Sequence, residues 1–322
     1  MAGGVRTNVE IAGVSLKNPV LIASGVCGYG LDFRCLADYR PEAVGGLVLK
    51  GTTLKPRDGN PPVRLVETAG GVLNSIGLQN IGVDALISDV LPQLAGSGSA
   101  VILNIAGHEI GEYVTVAERL AAAGGFNALE VNISCPNVAK GGMAFGIEPC
   151  TAAEVIGAVS HAVSGRFPVI AKLSPAAGDI AAVGLACVDA GADALSLINT
   201  VPGMAIDARR RRPVLANGVG GLSGPAIKPI ALLRVRQVFL ALKKARKNTP
   251  LIGMGGIVTA EDAMEFILAG ATAVQIGTAT FYDPQIGAAV AEGLEEILLD
   301  NYRCSGRDKD LNIRHYIGAL EE

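Results

Sequence analysis

Short, almost wholly apolar runs that end on a polar or small residue recur eight times along this chain, with helix-forming stretches between most of them. The first is Val20-Leu21-Ile22-Ala23-Ser24-Gly25 and the second spans Gly46 to Thr52. The others are Val101 to Gly107, Ala128 to Ser134, Val169 to Ser174, Ala194 to Thr200, Leu251 to Gly256 and Ala273 to Thr278. A strand that is apolar throughout must be buried on both faces, as in a parallel sheet covered by its crossover helices. Eight such units predict an α/β fold, a (β/α)8 or TIM barrel. A doubly wound open sheet is the competing arrangement. No glycine-rich dinucleotide fingerprint follows the first run, which counts against it.

The intervening pattern predicts helices near Phe33 to Tyr39, from Asp84, and over Glu112–Ala123, Ala152–Val163 and Ile180–Ala190. Further helices are predicted over Ala226–Lys244, Ala260–Leu268 and Gln285–Asp300. Thr7 to Pro19 alternates around Gly13 and predicts an N-terminal β-hairpin able to plug the lower end of the barrel. Two excursions, Lys55 to Asn80 and Gly203 to Pro225, carry too much Pro and Gly for element interiors and read as inserted loops at the C-terminal face of the strands. Loops this long need a function. Residues 1–322 thus read as one barrel domain, with a charged tail from Tyr302 to Glu322 whose role the sequence does not assign.

Composition excludes several classes of partner. The net charge of -3 leaves no basic surface for a nucleic-acid backbone. Apolar runs stop well short of a membrane-spanning length, and Met1 to Thr7 reads as neither a signal peptide nor an anchor. Cysteines at 27, 35, 135, 150, 187 and 304 form no CxxC pair and no zinc or iron–sulfur spacing. A reducing cytoplasm is the simplest setting. Four of the cysteines other than Cys135 read as buried structural thiols.

In a barrel the strand ends share one mouth, where active sites are built. Here they supply Ser24, Lys50, Asn104, Asn132, Lys172, Asn199 and Thr200. Lys172 inside an apolar strand needs a charged or polar partner. The last two strands end instead on Gly255-Gly256 and Gly277-Thr278, small residues that expose backbone N–H groups as a phosphate cradle does, with Ser223-Gly224 as a third part. Cys135 sits among Asn132, Ser134, Asn137 and a glycine-rich loop, and reads equally as a reactive group or a buried thiol. No strand end offers the carboxylate pair of a glycosidase, and no His/Asp/Glu set has metal spacing. Two lysines, several amides and a phosphate cradle suit an anionic ligand beside a phosphorylated cofactor. A Schiff-base lysine is the other chemistry available, but it leaves the amides unused.

These motifs, taken together, closely resemble the dihydroorotate dehydrogenases, specifically the NAD-linked class 1B type, from about Leu16 to Leu298. The resemblance rests on Leu49-Lys50-Gly51-Thr52, Asn74-Ser75-Ile76-Gly77-Leu78-Gln79-Asn80, Asn132-Ile133-Ser134-Cys135-Pro136-Asn137, Lys172-Leu173-Ser174-Pro175, Ser196-Leu197-Ile198-Asn199-Thr200, Gly220 to Gly224 and Gly253 to Ile257. It implies an FMN-containing barrel that oxidises (S)-dihydroorotate to orotate in pyrimidine synthesis. Cys135 would take the C5 proton, and the C6 hydride would pass to flavin N5. Cysteine rather than serine at this position separates the chain from the membrane-linked class 2 type.

By the same resemblance Lys50, Asn74, Asn132, Asn137, Asn199, Thr200 and the backbone of Ile76, Gly77 and Leu78 would hold the substrate. Lys172 would stabilise the anionic reduced flavin. Ser223, Gly224, Gly255, Gly256, Gly277 and Thr278 would hold the FMN phosphate and ribityl chain. Ala23, Ser24, Gly25, Lys50, Gly51, Asn104, Asn132 and Ile198 would line the rest of the flavin. The loop from Val138 to Phe145 would cover the bound substrate.

Class 1B enzymes resemble a two-part machine, in which a separate subunit carries FAD and a [2Fe–2S] cluster and relays electrons to NAD⁺. This chain has no cysteine set for a cluster, so the resemblance implies a partner subunit, a homodimer of barrels, and a two-plus-two heterotetramer. Gly59-Asn60-Pro61-Pro62 and the segment from Glu148 to Val159 favour the NAD-linked type. A fumarate-linked class 1A-like enzyme, a dihydropyrimidine dehydrogenase-like enzyme and a non-catalytic binding barrel remain alternatives. Reoxidation by fumarate alone would mark the first, an uncarboxylated substrate the second, and absence of FMN the third.

Overall fold

The computed structural model describes residues 4–36, 40–134, 136–137 and 143–321. The chain opens on an antiparallel hairpin, β1 (Val9–Ile11) and β2 (Val14–Leu16), and then enters a barrel through β3 (Val20–Ile22) and β4 (Gly46–Val48). The first excursion holds β5 (Leu65–Thr68) and β6 (Gly71–Asn74). Two short helical turns follow, α1 (Gly82–Ala85) and α2 (Leu91–Leu94), then β7 (Ala100–Ile105), α3 (Ile110–Ala123) and β8 (Ala128–Asn132). The short pair β9 (Pro136–Asn137) and β10 (Met143–Ala144) leads to α4 (Pro149–Val163), β11 (Val169–Lys172), α5 (Ile180–Asp189) and β12 (Ala194–Leu197). The second excursion contains β13 (Val201–Gly203), β14 (Ile206–Asp207), β15 (Arg212–Pro213) and β16 (Gly220–Ser223). The chain ends through α6 (Lys228–Lys244), β17 (Leu251–Met254), α7 (Ala260–Ala269), β18 (Ala273–Ile276) and α8 (Ile286–Ser305).

Strands β3, β4, β7, β8, β11, β12, β17 and β18 close a parallel barrel in that order, so the expected (β/α)8 architecture is the one observed. Their apolar side chains, among them Leu21, Leu47, Leu103, Leu129, Ile170, Leu195, Ile252 and Val274, are at most 2% exposed. The hairpin lies beneath: Leu16 is buried in the core, and Lys17 Nζ donates to Gly98 O, just before β7 begins, at 2.9 Å. That places it at the N-terminal end of the strands, opposite the mouth.

Three features depart from the sequence reading. The predicted helix near Phe33 is a single 3₁₀ turn at Asp32–Cys35, with Ala37 to Tyr39 outside the described residues. The helix expected from Asp84 starts at Gly82 and widens into a π turn at Leu86–Val90. Pro92 follows; it has no N–H to give back and its ring crowds the preceding turn, so the ladder opens before it.

The third departure positions the site. The two excursions are joined as one antiparallel sheet in the order β13-β16-β6-β5, with Gly221 opposite Asn74 and Leu222 opposite Leu73. This sheet stands on the C-terminal side of the barrel. Gly221 is required there, because a Cβ at that position would lie 2.0 Å from Thr200 Oγ1.

The charged tail is built into the fold. Arg6 N donates to Leu311 O at 2.8 Å and Ile313 N to Arg6 O at 3.0 Å, while Gly318 N reaches Ile267 O at 2.9 Å. Leu311 and Ile313 are buried. The tail therefore laces the N-terminal segment to α7.

Candidate active site

The strand ends and the excursion sheet enclose a cavity of about 650 Å³. From the first strands it is lined by Ala23, Ser24, Gly25, Lys50 and Gly51, and from the first excursion by Asn74, Ile76, Gly77 and Leu78. The middle strands contribute Asn104, Asn132, Lys172, Ile198, Asn199 and Thr200. Ser223, Gly224, Gly255, Gly256, Gly277 and Thr278 complete it. Cys135 and the side chain of Asn137 lie outside the described residues, as does most of the loop expected to cover the substrate; the backbone of Asn137 pairs with Met143.

The floor of the cavity is ionic. Lys172 Nζ donates to Glu130 Oε1 at 3.3 Å and to Ser24 Oγ at 3.2 Å. Glu130 is fully buried on β8 and also accepts from Asn104 Nδ2 at 2.7 Å, Ser196 Oγ at 2.8 Å and Gln275 Nε2 at 2.8 Å. Burial opposes ionisation of this carboxyl. The charge of Lys172 and the donors from Gln275, Asn104 and Ser196 together outweigh it and hold the group below its ordinary value. Lys172 thus has the partner its buried position demanded.

One wall is made of amides. Asn132 Oδ1 accepts from Ser134 N at 3.1 Å and from Asn199 Nδ2 at 3.3 Å, and Asn199 Nδ2 also reaches Ser134 Oγ at 3.0 Å. Asn199 Oδ1 accepts from Thr200 N at 2.8 Å, and Tyr113 OH fixes the backbone by donating to Asn132 O at 2.8 Å. Across the mouth, Asn74 Nδ2 donates to Gly221 O at 3.3 Å. Asn132 is left with its NH₂ to give and Asn74 with its carbonyl to receive, one donor and one acceptor facing the same cavity.

The opposite end is a glycine cradle. Gly224, Gly255 and Gly256 have φ of +98°, +129° and +79°, a region that side chains rarely adopt. A Cβ on Gly256 would lie 2.9 Å from both Gly224 O and Lys228 Cβ, so backbone approaches backbone only because side chains are missing. Thr278 Oγ1 donates to Ser223 Oγ at 2.8 Å, tying the two hydroxyls of the cradle together.

Lys50 stands apart from these networks. Burial and the nearby Arg64 charge push its ammonium below the ordinary lysine value, and among the described residues it has no ion-pair partner. A half-buried ammonium in a cavity, with no ion-pair partner among the described residues, has the charge to receive an anion.

The family model described as dihydroorotate dehydrogenase matches residues 6–298. The chain belongs to the dihydroorotate dehydrogenase family. A protein of Citrifermentans bemidjiense is 51% identical over 315 residues, covering 98% of each chain. One from Desulforudis audaxviator is 54% identical over 296 residues, 92% of this chain and 94% of its own. One from Geobacter sulfurreducens is 51% identical over 314 residues, 98% of each. All three are named dihydroorotate dehydrogenase B (NAD(+)), catalytic subunit, which agrees with the class 1B resemblance read from the motifs.

Sequence reasoning passed over two buried residues of this dehydrogenase-family site, Glu130 and Gln275. Both interrupt otherwise apolar strands, the same signal that singled out Lys172. The reading of four further cysteines as buried is corrected: Cys27 and Cys187 are buried, each thiol pushed up to about 12 chiefly by desolvation. Cys35, Cys150 and Cys304 are exposed. They fall on a 3₁₀ turn and on helix faces where a short apolar-looking thiol gives no periodic cue. No helix among the described residues is long and apolar enough to cross a membrane.

Proposed function

We propose that this chain is the catalytic subunit of an NAD-linked dihydroorotate dehydrogenase, oxidising (S)-dihydroorotate to orotate in pyrimidine synthesis. The observation that carries the substrate is the uncompensated Lys50 ammonium at the mouth, opposite the Asn132 donor and the Asn74 acceptor. A planar ring with N–H and C=O edges and a carboxylate satisfies all three. An uncarboxylated pyrimidine would leave Lys50 unpaired.

The cavity suits FMN on its own chemistry. The cradle of Ser223, Gly224, Gly255, Gly256, Gly277 and Thr278 suits a phosphate and the start of a polyol chain. Ala23, Ser24, Gly25, Gly51, Asn104, Asn132, Lys172 and Ile198 would border its ring. FMN, when bound, supplies the acceptor for the hydride that leaves C6. The chain's own residues orient and deprotonate the substrate. Asn74, Asn132, Asn137, Asn199, Thr200 and the backbone of Ile76 to Leu78 hold the ring, and Lys50 holds its carboxylate. Cys135, one residue beyond Ser134 at the end of the amide wall, removes the C5 proton as thiolate. Lys172 presents its charge together with Glu130, so it offers the ring an oriented ion pair rather than a bare cation.

Electrons leave to NAD⁺ through FAD and a [2Fe–2S] cluster on a separate subunit, in a two-plus-two assembly built on a homodimer of barrels. The words "catalytic subunit" in the relatives' names support a second subunit. Among the described residues the cysteines are free, which suits a reducing cytoplasm. The test is ligand choice by the FMN-loaded chain. Orotate should perturb the flavin absorption at concentrations where uracil does not; equal response to both would remove the role given to Lys50.

A further inference from the structure

Gln275 lies on β18, two residues before Gly277, and its side chain points into the barrel interior, where it meets Glu130. It is 1% exposed and lines the cavity. Its Nε2 donates to Glu130 Oε2 at 2.8 Å. Its Oε1 is buried, and among the described residues no donor reaches it.

The direction of this amide is enforced. An ionised carboxylate can only accept, so the NH₂ end of Gln275 must face Glu130 and the carbonyl must face away. Ser196 donates to the same Glu130 oxygen at 2.8 Å, while Asn104 and Lys172 occupy the other one. With those contacts filled, rotating Gln275 would set oxygen against oxygen. The barrel floor therefore holds a fixed, unmatched acceptor on a side chain that lines the same cavity as the cradle.

We propose that Gln275 Oε1 accepts a hydrogen bond from an uncharged donor of the bound cofactor. This rests on the FMN reading above. Phosphate oxygens and ring carbonyls have no proton to give it. Only the ribityl hydroxyls and the ring N–H of FMN can, and the acceptor selects for them. Gln275 is thus a cofactor-contacting residue, and Glu130 is the residue that positions it.

The experiment compares FMN dissociation constants of the wild-type chain, Gln275→Met and Ser196→Ala, read by flavin fluorescence. Gln275→Met removes both the acceptor and one donor to Glu130, whereas Ser196→Ala removes a donor to the same oxygen without touching the cavity. The dissociation constant should rise about tenfold in Gln275→Met, the loss of one buried hydrogen bond, and stay within about twofold in Ser196→Ala. FMN analogues lacking one ribityl hydroxyl, or methylated at the ring N–H, identify the donor: the right one binds both Gln275→Met and wild type equally. Equal affinity of wild type and Gln275→Met for FMN overturns the proposal. So does an equal loss in Ser196→Ala, or a loss in Gln275→Met that no analogue abolishes. Should Gln275→Met not fold, Gln275→Asn withdraws the carbonyl by one methylene and gives the same comparison. A wild-type chain that fails to bind FMN would instead remove the cofactor reading itself.

Discussion

Lys172 Nζ stands 3.3 Å from Glu130 Oε1 inside the barrel, with side chains 6% and 0% exposed. Removing one member strands the other charge away from water. Glu130→Ala should therefore cost about 3–5 kcal/mol of stability, whereas the double change Glu130→Leu with Lys172→Met should recover much of that loss. Denaturant unfolding of the singles and the double checks it. The pH dependence has a definite sign. The folded Glu130 carboxyl titrates below its unfolded value, so its contribution is complete above the ordinary carboxylate range. That contribution is lost as pH falls through the depressed folded value. Acid unfolding should lose part of its steepness in the double variant.

Lys50 should decide ligand charge. Lys50→Gln removes a charge-assisted contact to a carboxylate and should weaken orotate about 10- to 100-fold, a larger loss than any it causes in FMN, whose ring Lys50 also borders. The ammonium is held below its ordinary value, so orotate affinity in the wild type should fall as pH rises through that lowered value. In Lys50→Gln this fall should vanish. Orotate titrations across pH, followed in the flavin spectrum, measure both effects.

Cys135 is the proposed base, and its thiolate is the active form. A free thiol ionises near pH 8.5, so the rate of flavin reduction should rise with pH until Cys135 is ionised. Cys135→Ala should keep FMN and reduce it roughly 10²- to 10⁴-fold more slowly. Stopped-flow reduction by dihydroorotate tests it; an unchanged rate removes Cys135 from the mechanism.

Gly256 tests the cradle. Alanine there would take a strained φ of +79° and press its Cβ to 2.9 Å from Gly224 O. Gly256→Ala should destabilise the chain by about 1–3 kcal/mol and weaken FMN more than orotate. Thermal unfolding and FMN titration of the variant separate the two effects.

The barrel was legible because its strands are apolar on both faces and end on polar residues; Lys172, Asn104 and Asn132 marked the mouth directly. The antiparallel sheet over the mouth was not. Its strand Gly220–Ser223 is glycine-rich and pairs with Gly71–Asn74 across a long stretch of chain, so neither composition nor local alternation announces it. The hydrophobic pieces Leu65-Val66 and Val72-Leu73, which fall in its other two strands, are too short and too close to turn residues to announce them. Glu130 was legible in principle: Lys172 required a buried counter-charge, and Ala128-Leu129-Glu130-Val131 offered one. What sequence cannot give is the pairing, since that depends on two strands being neighbours in a closed barrel. The tail was opaque because its contacts to Arg6 and Ile267 are backbone bonds that no residue type encodes.

The most direct test is anaerobic titration of the purified FMN-loaded chain with dihydroorotate, followed by NAD⁺ and then fumarate. Dihydroorotate should bleach the flavin, and neither acceptor should restore it until an electron-transfer subunit is added. Rapid recovery with fumarate alone would contradict the NAD-linked assignment, and a flavin that dihydroorotate never bleaches would contradict the function itself.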